Sequence, residues 1–206
     1  DLRTGTGNPY GVFTPFSKKF LQTANPGTPV KAPQSLPAVP EELGIEEVPI
    51  PRLSELAITP NSALQRGGER AARDRLKVFI QDRLRGYSED RDRMDRAGSS
   101  RLSADIKFGT LSIRTVWDVL HQLDPDTPGL TVFRNQLIWR DFAHSTLWDR
   151  PEVLKEPFKP KFKGFPTTDD ATLWTAWCEG KTGFPVVDAS ARQLLTEGFV
   201  HNRARM

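Results

Sequence analysis

The chain has 206 residues, 37% of them hydrophobic and 27% charged, and a formal net charge of +3 at pH 7. This length can bury a sizeable core, the apolar runs are far too short to cross a membrane, and the small positive charge by itself supports only weak, salt-sensitive attraction to polyanions. The single cysteine, Cys178, excludes an internal disulfide and fits a cytosolic compartment. The three histidines lack metal-ligand spacing, so no metal site is expected.

Residues 1–66 are rich in proline and contain ten of the 17 prolines in the chain. Proline lacks a backbone donor and restricts φ, so this stretch is not expected to hold a long helix or a central strand. It is predicted to be an extended linker between domains. Within it, the aromatic segment 10–16 (YGVFTPF) is predicted to dock on a neighbouring domain.

From residue 67 the hydrophobic pattern becomes helical. Ala72, Leu76 and Phe79 recur at three- and four-residue spacing in a helix that is predicted to stop near Gly86. The same criterion predicts further helices at 112–123, 131–148, 169–179 and 188–195. No alternating strand pattern follows residue 66, so the predicted fold class is all-α.

The segment 98–109 (GSSRLSADIKFG) places the hydroxyls of Ser99, Ser100 and Ser103 at the start of a short predicted helix. Small hydroxyl side chains and free backbone amides at a helix N-terminus suit a phosphate or pyrophosphate group. An ordinary capped helix uses the same residue types, so both interpretations stay open.

In the helix predicted at 131–148, Phe133, Gln136 and Arg140 are spaced by three and four residues and share one face. An amide and a guanidinium beside an aromatic ring form a surface for a flat, polar, anionic ligand. Trp139 lies on a different face, and aromatic core packing is the alternative to a binding role for it.

Two further segments carry basic residues. The arginines of 66–101 are interspersed with acids and predict a solvated helix face with intrahelical ion pairs. After the helix at 188–195, Asn202, Arg203 and Arg205 form a polar run that can hold phosphates or pair with carboxylates. A basic surface turn is the alternative.

Five motifs stand in the order and at the spacing of the photolyase/cryptochrome family, which the chain resembles over nearly its whole length. They are YGVFTPF at 10–16, GGE..A at 67–72, GSSRLSADIKFG at 98–109, QLIWRDF at 136–142 and the run W.EGKTGFPVVDA..RQL...GF.HNR.RM at 177–206. The resemblance implies a fragment, in which the linker 1–66 leads into the N-terminal part of a helical FAD-binding domain at 67–206. On this expectation the C-terminal part of that domain and the N-terminal α/β domain, which would bind an antenna chromophore, are absent.

The resemblance also implies roles for individual residues. Those expected to bind FAD are Tyr87, Ser99, Ser100, Arg101, Leu102, Ser103, Phe133, Gln136 and Arg140. Those expected to contact DNA with pyrimidine dimers are Arg91, Gln136, Trp139, Arg140, Asn202, Arg203 and Arg205. Gln136 and Trp139 are the expected catalytic residues. Residues 99–103 and the Gln136/Arg140 face are expected to enclose one folded dinucleotide in a shared cavity.

The activity that the resemblance implies is light-dependent repair of pyrimidine dimers by electron transfer from reduced FAD, performed by a monomeric carbon–carbon lyase. The alternative is a cryptochrome-type blue-light receptor without repair activity. Retention of Arg91, Arg203 and Arg205 favours repair. The isolated chain is expected to bind FAD weakly or not at all, because the family's other flavin-facing residues lie in the part expected to be absent.

Three positions depart from the family pattern. Gln136 stands where the family's cyclobutane-dimer repair enzymes usually have Glu. Gln is commoner there in (6-4) photolyases and animal-type cryptochromes, which leaves the class of dimer open. Phe199 replaces the Trp usual before the HNR motif, and it keeps part of the stacking surface. Thr167 stands where the family usually has the outermost Trp of its electron-transfer chain, so flavin photoreduction by that route is expected to be impaired.

Overall fold

The computed structural model describes residues 2–40, 43–44 and 48–205, and within them the chain forms helices and no strands. The α-helices are Phe13–Thr23 (α1), Glu69–Val78 (α2), Tyr87–Asp90 (α3), Ser103–Lys107 (α4), Ile113–His121 (α5), Leu130–Asp149 (α6), Ala171–Glu179 (α7) and Pro185–Glu197 (α8). The all-α prediction is therefore confirmed. Asp1, residues 41–42 and 45–47 of the predicted linker, and Met206 of the predicted domain, lie outside the described residues.

The Pro-rich segment is not extended throughout, because α1 occupies 11 of its residues. Pro15 is the third residue of α1, where the missing N–H would have no intrahelical partner. Phe16 is 1% exposed, and its ring lies 5.2 Å from that of Phe142 in α6. The aromatic segment 10–16 thus docks on another part of the chain, as predicted, and this tertiary contact stabilises a helix that the proline count argued against.

The first long helix changes its winding before it ends. α2 continues as a π-helix over Phe79–Arg83 and then tightens into a 3₁₀ turn over Leu84–Gly86. Gly129, the residue before α6, packs directly on this turn with φ 77°, and a Cβ atom there would lie 1.9 Å from the Leu84 carbonyl oxygen. Glycine is required at this crossing both by its backbone conformation and by the lack of space.

Acidic residues accept backbone hydrogen bonds at the N-termini of the last two helices. Asp170 caps α7, since its Oδ1 accepts hydrogen bonds from the backbone amides of Thr172 and Leu173 at 2.8 and 3.1 Å. α8 begins at Pro185 rather than at the predicted residue 188. Asp188 is not the cap but lies inside the first turn, where its carboxylate accepts from the amides that precede the helix. Proline is favoured at a first helical position, which explains the earlier start.

The core lies between α2, α3, α5 and α6. Its buried side chains are Ala72, Leu76, Phe79, Leu84, Tyr87, Leu102, Leu111, Val116, Leu120, Leu130, Phe133 and Leu137. Full burial of a large apolar side chain stabilises a fold by about 1.5–3 kcal/mol. Of the helices in the described part of the chain, none combines the length and apolar character needed to cross a bilayer.

A buried ion pair ties the end of the Pro-rich segment to this body. Asp105, 3% exposed, accepts from Arg75 Nε and Nη2 at 2.9 and 3.1 Å and from Gln65 Nε2 at 3.1 Å. Arg75 Nη2 also donates to the carbonyl of Arg66 at 2.9 Å. The carboxylate therefore joins α2, α4 and residues 65–66 in one network.

Candidate functional site

The loop at residues 99–103 is held against α3 by a close backbone approach. A Cβ atom at Gly98 would lie 2.4 Å from Asp90 Cβ, so only glycine fits at the start of the loop. Arg101 has φ 56°, in the left-handed region, and Leu102 is 1% exposed within the core. α4, which begins at Ser103, has only five residues. The loop is therefore anchored at both ends, and its positioning does not depend on a long helix.

Arg101 joins this loop to the end of α8. Its guanidinium forms an ion pair with Glu197 and lies 4.3 Å from the centroid of the Phe199 ring. Its Nε atom is buried and has no hydrogen-bond acceptor among the described residues. A buried donor without a partner is rare in folded proteins and marks a place where an anionic group can bind.

The serines of the loop differ in their contacts. Ser100 Oγ lies 3.4 Å from the Leu102 amide, a long hydrogen bond. Within the described residues, the hydroxyls of Ser99 and Ser103 have no hydrogen-bond partner. Two hydroxyl donors and the Arg101 Nε donor are thus available within five residues, which is a donor set suited to phosphate oxygens.

On the face of α6 that carries Phe133, Gln136 and Arg140, exposure to solvent increases along the helix. Phe133 is 3% exposed and packs edge-on against Tyr87, with ring centroids 5.2 Å apart. Burial raises the pKa of the Tyr87 phenol above its ordinary value. Gln136 is half-buried, and its Nε2 lies 3.4 Å from the carbonyl of Val132. Arg140 is exposed and has no ion pair with the described residues.

Arg140 lines a cavity of about 1010 Å³ between α1, α5 and α6. Gln136 and residues 99–103 do not line this cavity. This cavity is therefore not the expected one that the serine loop and the Gln136/Arg140 face would share. The rings of Tyr87 and Phe133 fill part of the core beside Leu102 and Leu137 instead.

Trp139 takes part in the docking of α1. Its ring stacks on Phe13 with centroids 3.7 Å apart and lies 5.7 Å from Phe142. The side chain is still 45% exposed. One face of the Trp139 ring is therefore used for aromatic packing on Phe13, the alternative to a binding role.

The basic residues proposed to contact DNA converge from two segments that lie far apart in the sequence. Arg203 donates from Nε and Nη2 to Asp92 Oδ1 at 3.0 and 2.7 Å, across 111 residues. Arg91 Nε lies 3.4 Å from the same oxygen. The hydrogen bond from Arg203 lowers the pKa of the Asp92 carboxyl. Two guanidinium groups are thus gathered around one carboxylate at the surface.

The remaining residues of the C-terminal polar run lie in the 3₁₀ turn Asn202–Arg205, which continues from Phe199 and Val200. Asn202 is exposed, and Arg205 Nη2 donates to the carbonyl of Val200 at 3.1 Å. Because Phe199 is covered by Arg101, the serine loop and the 202–205 turn are joined through residues 197–201. The structure therefore brings the predicted phosphate-binding loop and the basic turn into one region, apart from Arg140.

Sequence reasoning missed three residues of this region. Asp92, Glu197 and His201 each bind an arginine or its backbone from the opposite segment. Their partners are between 96 and 111 residues away, so no local pattern reveals them. The one available signal was an acid placed between Arg91 and Arg93.

Thr167 is exposed, and two tryptophans follow it in the sequence. Trp174 and Trp177 lie on α7 with ring centroids 5.3 Å apart, and they are 65% and 51% exposed.

The C-terminal third of the chain matches a known family model. Residues 133–206 match the model described as the FAD binding domain of DNA photolyase. The deoxyribodipyrimidine photo-lyase of Thermus thermophilus is 38% identical over 198 residues, which cover 96% of this chain and 43% of the relative. The chain thus spans less than half the length of this curated relative.

Solved structures of photolyases and cryptochromes are similar to this chain in fold. A bacterial class III photolyase from Agrobacterium tumefaciens has a TM-score of 0.83 at 31% identity, covering 99% of this chain and 43% of that one. A cryptochrome from Synechocystis has a TM-score of 0.65 at 28% identity, covering 78% of this chain and 35% of that one. The helical fold, the order of the motifs and these likenesses together show that the chain is similar to members of the DNA photolyase/cryptochrome family over less than half of their length.

Proposed function

We propose that the protein acts in light-dependent repair of pyrimidine dimers in DNA, with FAD as its cofactor. The observation that carries the proposal is the convergence of Arg91 and Arg203 at one surface site beside the serine loop. Guanidinium groups clustered at a surface suit DNA phosphates, which supply most of the affinity in such complexes. The name shared by the curated relatives, deoxyribodipyrimidine photo-lyase, supplies the substrate class.

The residues fit an FAD cofactor in their chemistry. The free hydroxyls of Ser99 and Ser103, the backbone of Leu102 and the unpartnered Arg101 Nε would hold its pyrophosphate, with Ser100 beside them. Tyr87 and Phe133 pack in the core with Leu102 and would support this loop from beneath. Gln136 would contribute to the surroundings of the cofactor, whereas Arg140, expected there from the resemblance, lines the cavity between α1, α5 and α6 instead. Bound FAD would supply the light-driven electron transfer that splits the dimer, and the protein supplies binding and orientation.

The protein's own residues would divide the work on DNA. Arg91, Asn202, Arg203 and Arg205 would contact the backbone and set the position of the duplex. Distorted dimers are easier to extrude from the stack than normal bases, and the exposed part of Trp139 offers a surface for an extruded base. Gln136 would line the pocket for the lesion, and Arg140, exposed beside the cavity between α1, α5 and α6, would contact DNA separately. Gln136 accepts and donates hydrogen bonds but does not act as an acid.

The proposal includes a monomeric, cytoplasmic protein. The cytoplasm is supported by the lone cysteine, Cys178. Light scattering of the purified chain tests the monomer.

One observation favours a second candidate, a flavin-binding blue-light receptor. The Synechocystis cryptochrome shares the fold of this chain, and Gln136 stands where the family's cyclobutane-dimer repair enzymes usually carry an acid. The two candidates differ in whether dimers disappear under illumination.

Because the 206-residue chain is expected to bind FAD weakly, the test supplies FAD in large excess, together with a reductant and oligonucleotides that contain pyrimidine dimers. Loss of dimers under blue light but not in darkness is expected for repair. Unchanged dimers together with light-driven reduction of the flavin would favour the receptor.

The fit of the donor set is tested separately by titrating FAD onto the chain and following flavin fluorescence. Arg101→Ala is expected to weaken binding, whereas Arg93→Ala, which removes an exposed guanidinium paired only with Asp95, is expected to leave it unchanged. Equal binding by both variants would contradict the assignment of residues 99–103.

A further inference from the structure

We propose that His201 is a positioning residue that fixes Arg91 and Arg203 as a single phosphate-binding pair. The inference rests on the proposed contact of these arginines with DNA. It goes beyond that contact because it assigns the arrangement of the two guanidiniums to a buried imidazole that contacts neither of them.

His201 uses both of its ring nitrogens. The side chain is 8% exposed, its Nε2 lies 3.0 Å from the carbonyl oxygen of Arg91, and the amide of Arg203 donates to its Nδ1 at 3.2 Å. A ring nitrogen that accepts from an amide carries no proton, so the proton resides on Nε2 and is donated to the Arg91 carbonyl. This network assigns the neutral Nε2–H tautomer.

Both hydrogen bonds go to backbone atoms of the two arginines. His201 therefore occupies no donor of either guanidinium, and the imidazole sets only the distance between the two stretches of backbone. Asp92 adds a contact between the side chains, but it is 48% exposed, and an exposed ion pair contributes little to holding a geometry. The buried hydrogen bonds of His201 are the stronger constraint.

The charged groups around His201 are unevenly distributed. The loop beside it carries Arg91, Asp92, Arg93 and Asp95, and the turn after it carries Arg203 and Arg205. The facing part of α8 presents only uncharged residues, namely Pro185, Val186, Ala189, Ser190 and Gln193. Protonation of Nδ1 would remove the acceptor for the Arg203 amide and add a cation next to Arg91 and Arg203.

This gives a pH dependence with a distinctive sign. An added positive charge alone would strengthen binding to DNA. Release of the Arg203 backbone would instead weaken it, because the two guanidiniums would no longer converge. A positioning role therefore predicts weaker binding as the ring of His201 protonates, and a charge effect predicts stronger binding.

The test measures the affinity of the 206-residue chain for a short undamaged duplex as a function of salt concentration. His201→Phe keeps the ring volume without the hydrogen bonds, and it is expected to reduce the slope of log K against log salt by about 1, the loss of one phosphate contact. His201→Gln, whose amide both donates and accepts, is expected to recover part of the affinity. His121→Phe, at an exposed position on α5, is the matched control and is expected to leave the slope unchanged.

Nitrogen-15 NMR of the histidine rings in the wild-type chain adds a readout that does not require a variant to fold. The Nε2–H tautomer is expected for His201, and DNA affinity is expected to fall over the pH range in which its ring protonates. A wild-type slope for a folded His201→Phe variant overturns the inference. If that variant does not fold, an Nδ1–H tautomer, or affinity that rises or stays constant as the ring protonates, overturns it.

Failure of the proposed function is distinct from failure of this inference. A wild-type chain with no salt-dependent affinity for DNA overturns the DNA contact itself, and the role of His201 with it. Salt-dependent binding that is reduced by Arg203→Ala but unaffected by His201→Phe retains the DNA contact and removes only the role of His201.

Discussion

The segment from α2 to α6 and the α7–α8 hairpin are both helical, but they bury their apolar residues to very different extents. In the first, Phe79, Leu120 and Leu130 are at most 1% exposed. α7 buries none of its residues, and the only residue buried in α8 is the acidic Asp188. The two regions teach that helix formation and core formation have separate causes.

Polar contacts hold the hairpin where a core holds the other segment. Asp188 accepts from Thr182 N and Oγ1 at 2.8 and 2.6 Å and from Gly183 N at 3.0 Å. Gly180 lets α7 approach α8 closely, since a Cβ atom there would lie 2.8 Å from the Asp188 carbonyl oxygen. Local caps and one close crossing are sufficient to define the hairpin while Leu173 and Trp174 stay exposed.

The two regions are expected to differ most in how much stability is lost when one member of an ion pair is removed. Asp105→Ala leaves Arg75 buried without its partner and is expected to lower the free energy of unfolding by about 3–5 kcal/mol. Glu179→Ala removes the exposed ion pair with Lys181 in the hairpin and is expected to change the free energy of unfolding by at most about 1 kcal/mol. Urea denaturation followed by circular dichroism measures both, and similar losses would contradict the comparison.

Two leucine substitutions, one in each region, test the same difference in burial. Leu120→Ala creates a cavity in the core and is expected to cost about 2–5 kcal/mol. Leu195→Ala, at a side chain that is 65% exposed, is expected to stay within about 0.5 kcal/mol. Denaturation midpoints of the two variants provide the check. A loss above 2 kcal/mol for Leu195→Ala would mean that a contact covers this part of the hairpin in solution.

Acid is expected to act on the hairpin through Asp188. The hydrogen bond from the Thr182 hydroxyl lowers the pKa of this carboxyl in the folded state. Its contribution to stability is therefore fully present above the unfolded pKa of about 3.9, and it is lost as the pH falls through the lower folded pKa. Asp188→Asn should lose less stability than the wild type between about pH 5 and pH 2. Thermal melts across this range measure the loss, with the exposed Asp169→Asn as control, and parallel curves for wild type and Asp188→Asn would refute the role.

The smallest effect is expected for the exposed tryptophans. Trp174→Ala removes a ring whose aromatic contact within the described residues is the tilted one with Trp177, and it is expected to lower stability by no more than about 1 kcal/mol. The same substitution should reduce the part of the tryptophan fluorescence that acrylamide quenches, because Trp174 is 65% exposed. Unchanged quenching would show that this side of α7 is covered in solution.

Several features of the fold were predictable because their causes are local. The helix predicted at 131–148 forms at Leu130–Asp149, and Asp170 and Gly198 define helix ends as their residue types suggest. Proline content predicted an extended segment without a long helix, and the 11 residues of α1 depart from the extended conformation. Burial of Phe16 and the stacking of Phe13 on Trp139 stabilise that helix, and both partners lie more than a hundred residues further along the chain.

By itself, the sequence determined the helices that follow residue 66 and the residue types that are available for phosphates, since both follow from neighbours within a few positions. Only the tertiary structure decided which of them meet. It joined Arg91 to Arg203 through Asp92 and His201, joined the serine loop to Glu197 and Phe199, and left Arg140 in a different cavity. The physical reason is that these contacts depend on how helices cross, and packing sets that crossing across separations of about a hundred residues.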